Sequence, residues 1–152
     1  MKIRIKRLIV KFLFLVKEIL YKSIMKDIVF GENTTFYGKP IVSLCKGSNI
    51  TVGNGVVLCS TSTDTALGVN HPVILRTLKE SSSISIGDDT GISGATICSA
   101  SSIKIGKGCL LGANVNIVDT DFHPIESLNR RYDTKNILSL PINIDDNVFV
   151  GA

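Results

Sequence analysis

A histidine able to act as a base lies in the stretch NVNIVDTDFHPI, residues 114–125. Val115 and Ile117 give the start of this stretch the apolar pattern of a β-strand. Pro124 lacks a backbone donor and ends strand pairing, so His123 stands where a strand passes into a polar loop. Histidine is the side chain that titrates closest to neutral pH, and it is a common general base. The position leaves two interpretations open: His123 is a residue of the turn, or it is a general base held at the edge of a rigid scaffold.

The other residues that could take part in chemistry leave alternatives open. Asp119 and Asp121 precede His123 and could orient its imidazole, or could make only local backbone hydrogen bonds. His71 is also followed by a proline and is interpreted as a loop residue or a substrate contact. The four cysteines show no CxxC pair and no metal-ligand spacing with the histidines, so we expect small buried thiols in a reducing compartment and no metal site. They are Cys45, Cys59, Cys98 and Cys109.

Composition and charge place this histidine in one globular domain. A chain of 152 residues with 44% hydrophobic and 20% charged residues can bury a real core. The net charge of +4 is unevenly distributed, because residues 1–26 hold eight of the 17 basic residues and one of the 13 acidic residues. Residues 27–152 are therefore mildly acidic. A body of this charge argues against a nucleic-acid-binding protein.

Residues 1–27 are predicted to form a basic amphipathic helix. They lack the small-residue cleavage site of a secretory signal, and the apolar run of residues 12–16 is far shorter than the ~20 residues that span a bilayer. Two interpretations remain open: the helix docks on the domain or a neighbouring subunit, or residues 1–26 lie on an anionic membrane surface. The protein is therefore expected in the cytoplasm, with a possible peripheral contact at the inner membrane surface. The apolar residues at helical spacing are Ile5, Leu8, Ile9, Phe12, Leu15, Val16 and Ile19.

A six-residue repeat follows and predicts the element that positions the histidine. Windows of six residues begin with a large aliphatic residue, often have glycine second, and have a compact fifth residue. Three such hexads would form one triangular coil of short strands, and coils would stack in parallel register. The spacing leaves room for inserted loops at about residues 60–82 and 121–140. The windows begin at Val52, Ile86, Ile92, Ile105, Leu111 and Ile144, and their fifth residues are Val56, Thr90, Thr96, Cys109, Val115 and Val148.

These hexads, together with the segments DTDFHPI and PINIDDNVFVGA, resemble the hexapeptide-repeat acyltransferases, in particular the O-acetyltransferases that act on sugars and polysaccharides. The resemblance covers residues 28–152. It implies an all-β domain, a left-handed parallel β-helix, behind the N-terminal helix. It also implies acetyl-CoA as the acyl donor, a carbohydrate hydroxyl as the acceptor, and His123 as the general base of a direct transfer without a covalent acyl-enzyme. The family forms homotrimers with each active site between neighbouring subunits.

The resemblance also assigns substrate contacts and shows departures. It implies that Arg130 and Ser93 contact the acceptor, although Ser93 could be only a turn residue. It implies that Phe149 and Ala152 form the first edge of the acetyl-CoA groove. Asp145 replaces the usual hexad glycine, and family members continue beyond the position of Ala152. We therefore expect an incomplete acyltransferase domain; the alternatives are a catalytically inactive β-helix that acts as an assembly partner, or transfer to the amine of an amino sugar or to serine.

Overall fold

The computed structural model describes residues 2–125, 128 and 130–152, and side chains from residue 8 onward. The side chain of Ile5 in the predicted apolar stripe, and part of the loop at residues 121–140, therefore lie outside what the structure describes. Helix α1 spans Lys2–Ile24 and is followed by short strands. The strands are β1 (Val29–Phe30), β2 (Thr35–Tyr37), β3 (Ile41–Ser43), β4 (Asn49–Val52), β5 (Val57–Cys59), β6 (Ile74–Thr77), β7 (Ser83–Ile86), β8 (Gly91–Ser93), β9 (Thr96–Ser99), β10 (Ser102–Ile105), β11 (Leu110–Leu111), β12 (Asn116–Val118), β13 (Ile142–Ile144) and β14 (Phe149–Val150).

The strands form three parallel sheets, and the chain visits the sheets in turn. The first sheet has the order β1-β4-β7-β10-β13, the second β14-β11-β8-β5-β2 and the third β12-β9-β6-β3. Each set of three successive strands is thus one coil, and each coil hydrogen-bonds to the next. This is a parallel β-helix-like architecture with one N-terminal helix.

The strand register confirms the stacking predicted from the hexads. Val52 pairs with Ile86, Ile86 with Ile105, and Ile105 with Ile144, so these first positions form one column. The column is buried as far as Ile105, and Ile144 is half-buried because a coil covers it on one side only. One expected core position is different: Ala95 rather than Thr96 is fully buried, because the chain turns one residue earlier, at Gly94, where φ is +53°.

The first predicted loop is corrected by the structure. Strand β6 lies inside the range 60–82, where it pairs with β3 and β9. Its inward residues Leu75 and Thr77 are buried, although no hexad glycine marks them in the sequence. The insertion is therefore confined to about residues 60–73, which include a short 3-10 helix, Ser62–Asp64.

Helix α1 packs against the first coil through aromatic residues. The rings of Phe14 and Tyr37 meet edge to face at 5.4 Å, and those of Tyr21 and Phe36 at 5.5 Å. Met25, just beyond the helix, is buried in the core. The predicted apolar stripe is exposed instead, so it does not dock on the β-strands of its own chain. Within the described residues, no helix is both long enough and apolar enough to cross a bilayer.

Candidate functional site

His123 lies at the start of the loop that joins the fourth coil to the fifth. The side chain of His123 is exposed, while Pro124 after it is buried. A cavity of about 550 Å³ borders the imidazole. Its lining residues are Phe122, His123, Arg130, Arg131, Asp133, Thr134 and Ile137.

The imidazole of His123 is oriented by the carbonyl of the next residue. Nδ1 of His123 lies 3.3 Å from the carbonyl oxygen of Pro124. A carbonyl oxygen can only accept a hydrogen bond, so this contact places the hydrogen on Nδ1 of the neutral ring. Nε2 then carries the free lone pair. The arrangement suits a general base that acts through Nε2.

Arg130 shares the same carbonyl and stabilises the turn. Its Nε donates to the carbonyl oxygen of Pro124 at 2.8 Å, and a terminal guanidinium nitrogen donates to the carbonyl oxygen of Ile125. The planar fork of an arginine is suited to such a double contact. The structure therefore brings Arg130 and His123 together and shows Arg130 bound to the backbone that holds the imidazole, while the contact of Arg130 with the acceptor stays a prediction.

Asp119 has a different set of partners from the one proposed by the orienting hypothesis. Its carboxylate accepts hydrogen bonds from Ser99 Oγ at 2.7 Å, from the Ala100 N–H at 2.6 Å and from the Ser101 N–H at 3.0 Å. The side chain is only 5% exposed, whereas His123 is exposed. Asp119 thus ties the start of the loop to the corner of the preceding coil, and the orienting role belongs to the Pro124 carbonyl.

The base of the loop is a short antiparallel clamp. Asp121 N–H donates to the Leu138 carbonyl at 3.1 Å, and Leu140 N–H donates to the Asp119 carbonyl at 3.0 Å. Among the hydrogen bonds of the described residues, none joins the half-buried Asp121 carboxylate to His123. These two hydrogen bonds fix the position of the backbone at the start of the loop, only a few residues before His123.

The remaining predicted contacts lie on another face. Ser93 and Phe149 belong to strands β8 and β14 of the second sheet, with β11 between them. Phe149 is 71% exposed beside its pairing partner Leu110. Ala152 follows β14 and its backbone passes close to Gly112. These three residues are not among those that border the His123 cavity, so one chain does not bring the complete predicted set together.

His71 repeats the local geometry of His123. Its Nδ1 lies 2.8 Å from the carbonyl oxygen of Pro72, so the same tautomer is favoured. The ring is half-buried in the loop that packs against Gly94. The contact between the imidazole and the proline carbonyl was not predicted from the sequence, although the His-Pro dipeptide was the available signal.

None of the four cysteines is among the residues that line the His123 cavity. Burial raises the pKa of the Cys98 thiol, with the Asp119 carboxylate acting in the same direction and Arg76 against it. Cys109 is buried and its Sγ lies 3.1 Å from the carbonyl oxygen of Asp145. In the part of the chain that the structure describes, no three His, Cys, Asp or Glu side chains group as metal ligands would.

Comparisons with family models, curated proteins and solved structures found no match to this chain. Two features of the molecule therefore carry the functional argument. One is the stack of parallel coils, and the other is the His123 turn at the end of the fourth coil.

Proposed function

We propose that this chain is a hexapeptide-repeat acyltransferase domain with a left-handed β-helix. It moves an acetyl group from acetyl-CoA to a hydroxyl of a sugar or polysaccharide precursor. The observation that carries the proposal is the His123 Nδ1 contact with the Pro124 carbonyl, because it leaves Nε2 free as a base beside a cavity. The stacked hexads support the same family.

The proposed reaction is a direct transfer. The acceptor hydroxyl gives its proton to Nε2 of His123 as its oxygen bonds to the acetyl carbon of the thioester. The tetrahedral intermediate then collapses, the C–S bond breaks, and the CoA sulfur takes the proton from the imidazolium. General-base assistance of this kind contributes about 10²–10⁴ in rate. The family resemblance implies a backbone N–H as the donor to the developing oxyanion.

The proposal includes a homotrimer whose sites lie between copies. Ser93, Phe149 and Ala152 lie on or beside the second sheet, apart from the His123 cavity of their own chain. A neighbouring copy would bring its second sheet against this cavity and complete the site with acceptor and acetyl-CoA contacts. All four cysteines are free thiols in the structure, which fits a cytoplasmic location for this chemistry.

Replacement of His123 tests the proposal, and the chain supplies a matched control. His123→Asn should reduce acetyl-CoA consumption with hydroxyl acceptors by about 10²–10⁴. His71→Asn removes the other His-Pro imidazole, which we assign to loop structure, and should leave most of the activity. The assay follows release of the CoA thiol with sugars and oligosaccharides, and with amino sugars and serine as separate acceptors.

Two outcomes would contradict the assignment. If His123→Asn retains more than about a tenth of the wild-type rate, a base worth about 10²–10⁴ does not reside there. If the wild-type protein consumes acetyl-CoA with none of the acceptors while it joins a larger assembly, the inactive assembly partner is the better description.

A further inference from the structure

Helix α1 turns its apolar face away from the rest of the protein. With 3.6 residues per turn, Phe14, Tyr21 and Met25 fall on one side, and this side contacts the first coil. The opposite side carries large apolar residues that are 44–66% exposed. This outer face consists of Leu8, Ile9, Phe12, Leu13, Leu15, Val16, Ile19 and Leu20.

The outer face is the reverse of what an ordinary surface helix shows. Such a helix packs its apolar stripe on the core and presents polar residues to water. Here a narrow aromatic side is sufficient for docking, and the broad apolar side remains uncovered. A contiguous exposed apolar patch of this kind marks an interaction surface.

Charge indicates what covers the outer face. Lys11 and Lys17 are exposed and, by helical geometry, lie on opposite flanks of α1, between the outer face and the docked side, with Lys17 Nζ 5.9 Å from the centre of the Phe14 ring. The acid of α1 is Glu18, whose carboxylate pairs with Lys22 Nζ at 2.8 Å on the same flank of the helix as Lys11. The surface that faces outward is thus apolar with cationic edges, and this combination complements a layer with an apolar interior and anionic headgroups.

We infer that α1 docks this protein on the surface of an anionic phospholipid bilayer. The helix lies in the plane of the membrane, with the outer face at the boundary between headgroups and acyl chains. The β-strands remain in water on the opposite side of the helix, and the contacts of Phe14 and Tyr21 are kept. The inference rests on the packing of α1 and is independent of the proposed acyl transfer.

Flotation of the full chain with lipid vesicles tests the inference. We expect binding to vesicles of mixed phosphatidylcholine and phosphatidylglycerol, and much weaker binding to phosphatidylcholine alone. The difference should shrink from low salt, where the Debye length is about 30 Å, to about 1 M salt, where it is about 3 Å. Absence of binding to the anionic vesicles, or equal binding to both kinds, would overturn the inference.

Two pairs of variants separate the apolar and the charged contributions. Phe12→Ser/Ile19→Ser should weaken binding about tenfold or more, because both side chains lie in the outer face. The matched control Leu67→Ser/Leu138→Ser removes exposed apolar residues from loops and should bind as the wild type does.

The second pair reverses charge. Lys11→Glu/Lys17→Glu should weaken anionic binding about 25-fold or more, since each basic residue near the surface changes partition about fivefold. Lys46→Glu/Lys104→Glu makes the same change at exposed positions of the β-strand domain and should have a much smaller effect. If Phe12→Ser/Ile19→Ser instead splits an oligomer on sizing chromatography and leaves vesicle binding unchanged, the outer face binds a second copy and the membrane inference is overturned.

Discussion

Removal of the Asp119 carboxylate should destabilise the protein by several kcal/mol. The carboxylate receives three hydrogen bonds from the corner formed by Ser99, Ala100 and Ser101. In Asp119→Ala the Ser99 hydroxyl and the Ala100 N–H lose their acceptor in a buried place, at about 1–3 kcal/mol each. The Ser101 N–H is partly exposed and can reach water. Loss of a buried charge recovers part of its desolvation cost, so we expect a net loss of about 2–4 kcal/mol.

The measurement is the free energy of unfolding in denaturant, at one fixed protein concentration because oligomers gain stability by mass action. The control is Asp121→Ala, which removes a carboxylate two residues away on the same loop and should change stability by no more than about 0.5 kcal/mol. A loss of several kcal/mol is a large share of the ~5–15 kcal/mol that stabilises a domain. If both variants are as stable as the wild type and Asp119→Ala alone loses activity, Asp119 orients the imidazole and the structural assignment is refuted.

Two further predictions concern the glycine turn and the thiols. Gly94→Ala should destabilise the protein by about 1–3 kcal/mol, because φ is positive and a methyl group would clash with Val69. The control Gly151→Ala should be neutral, since no atom lies near the added methyl group. Equal unfolding curves for the two variants would refute the clash. Cys45 should react with a maleimide at neutral pH before Cys98, whose thiol is buried with a raised pKa and forms little thiolate. Mass spectrometry of the native protein reads the order, and equally fast labelling of both would contradict the burial.

The sequence by itself determined the stacked coils and the loop in which His123 lies. A coil contacts only its neighbours, so the same local pattern must recur at each step, and the first-position column from Val52 to Ile105 is readable without coordinates. The sequence also predicted that a strand runs up to His123 and is ended by Pro124, but β12 ends at Val118, well before both residues. An amphipathic helix at the N-terminus was readable for a similar reason, since its period is local.

Only the tertiary structure decided which groups meet across coils and which face of the helix is covered. The partners of Asp119 lie 18–20 residues away in sequence, and coil stacking alone brings them together. Strand β6 lacks a hexad glycine, so its pairing with β3 and β9 could not be predicted from the sequence. Periodicity shows that one side of α1 is apolar, but it contains no information on what covers that side. In the structure the rings of Phe14 and Tyr21 make the contact with the first coil. The apolar face of α1 is therefore directed outward.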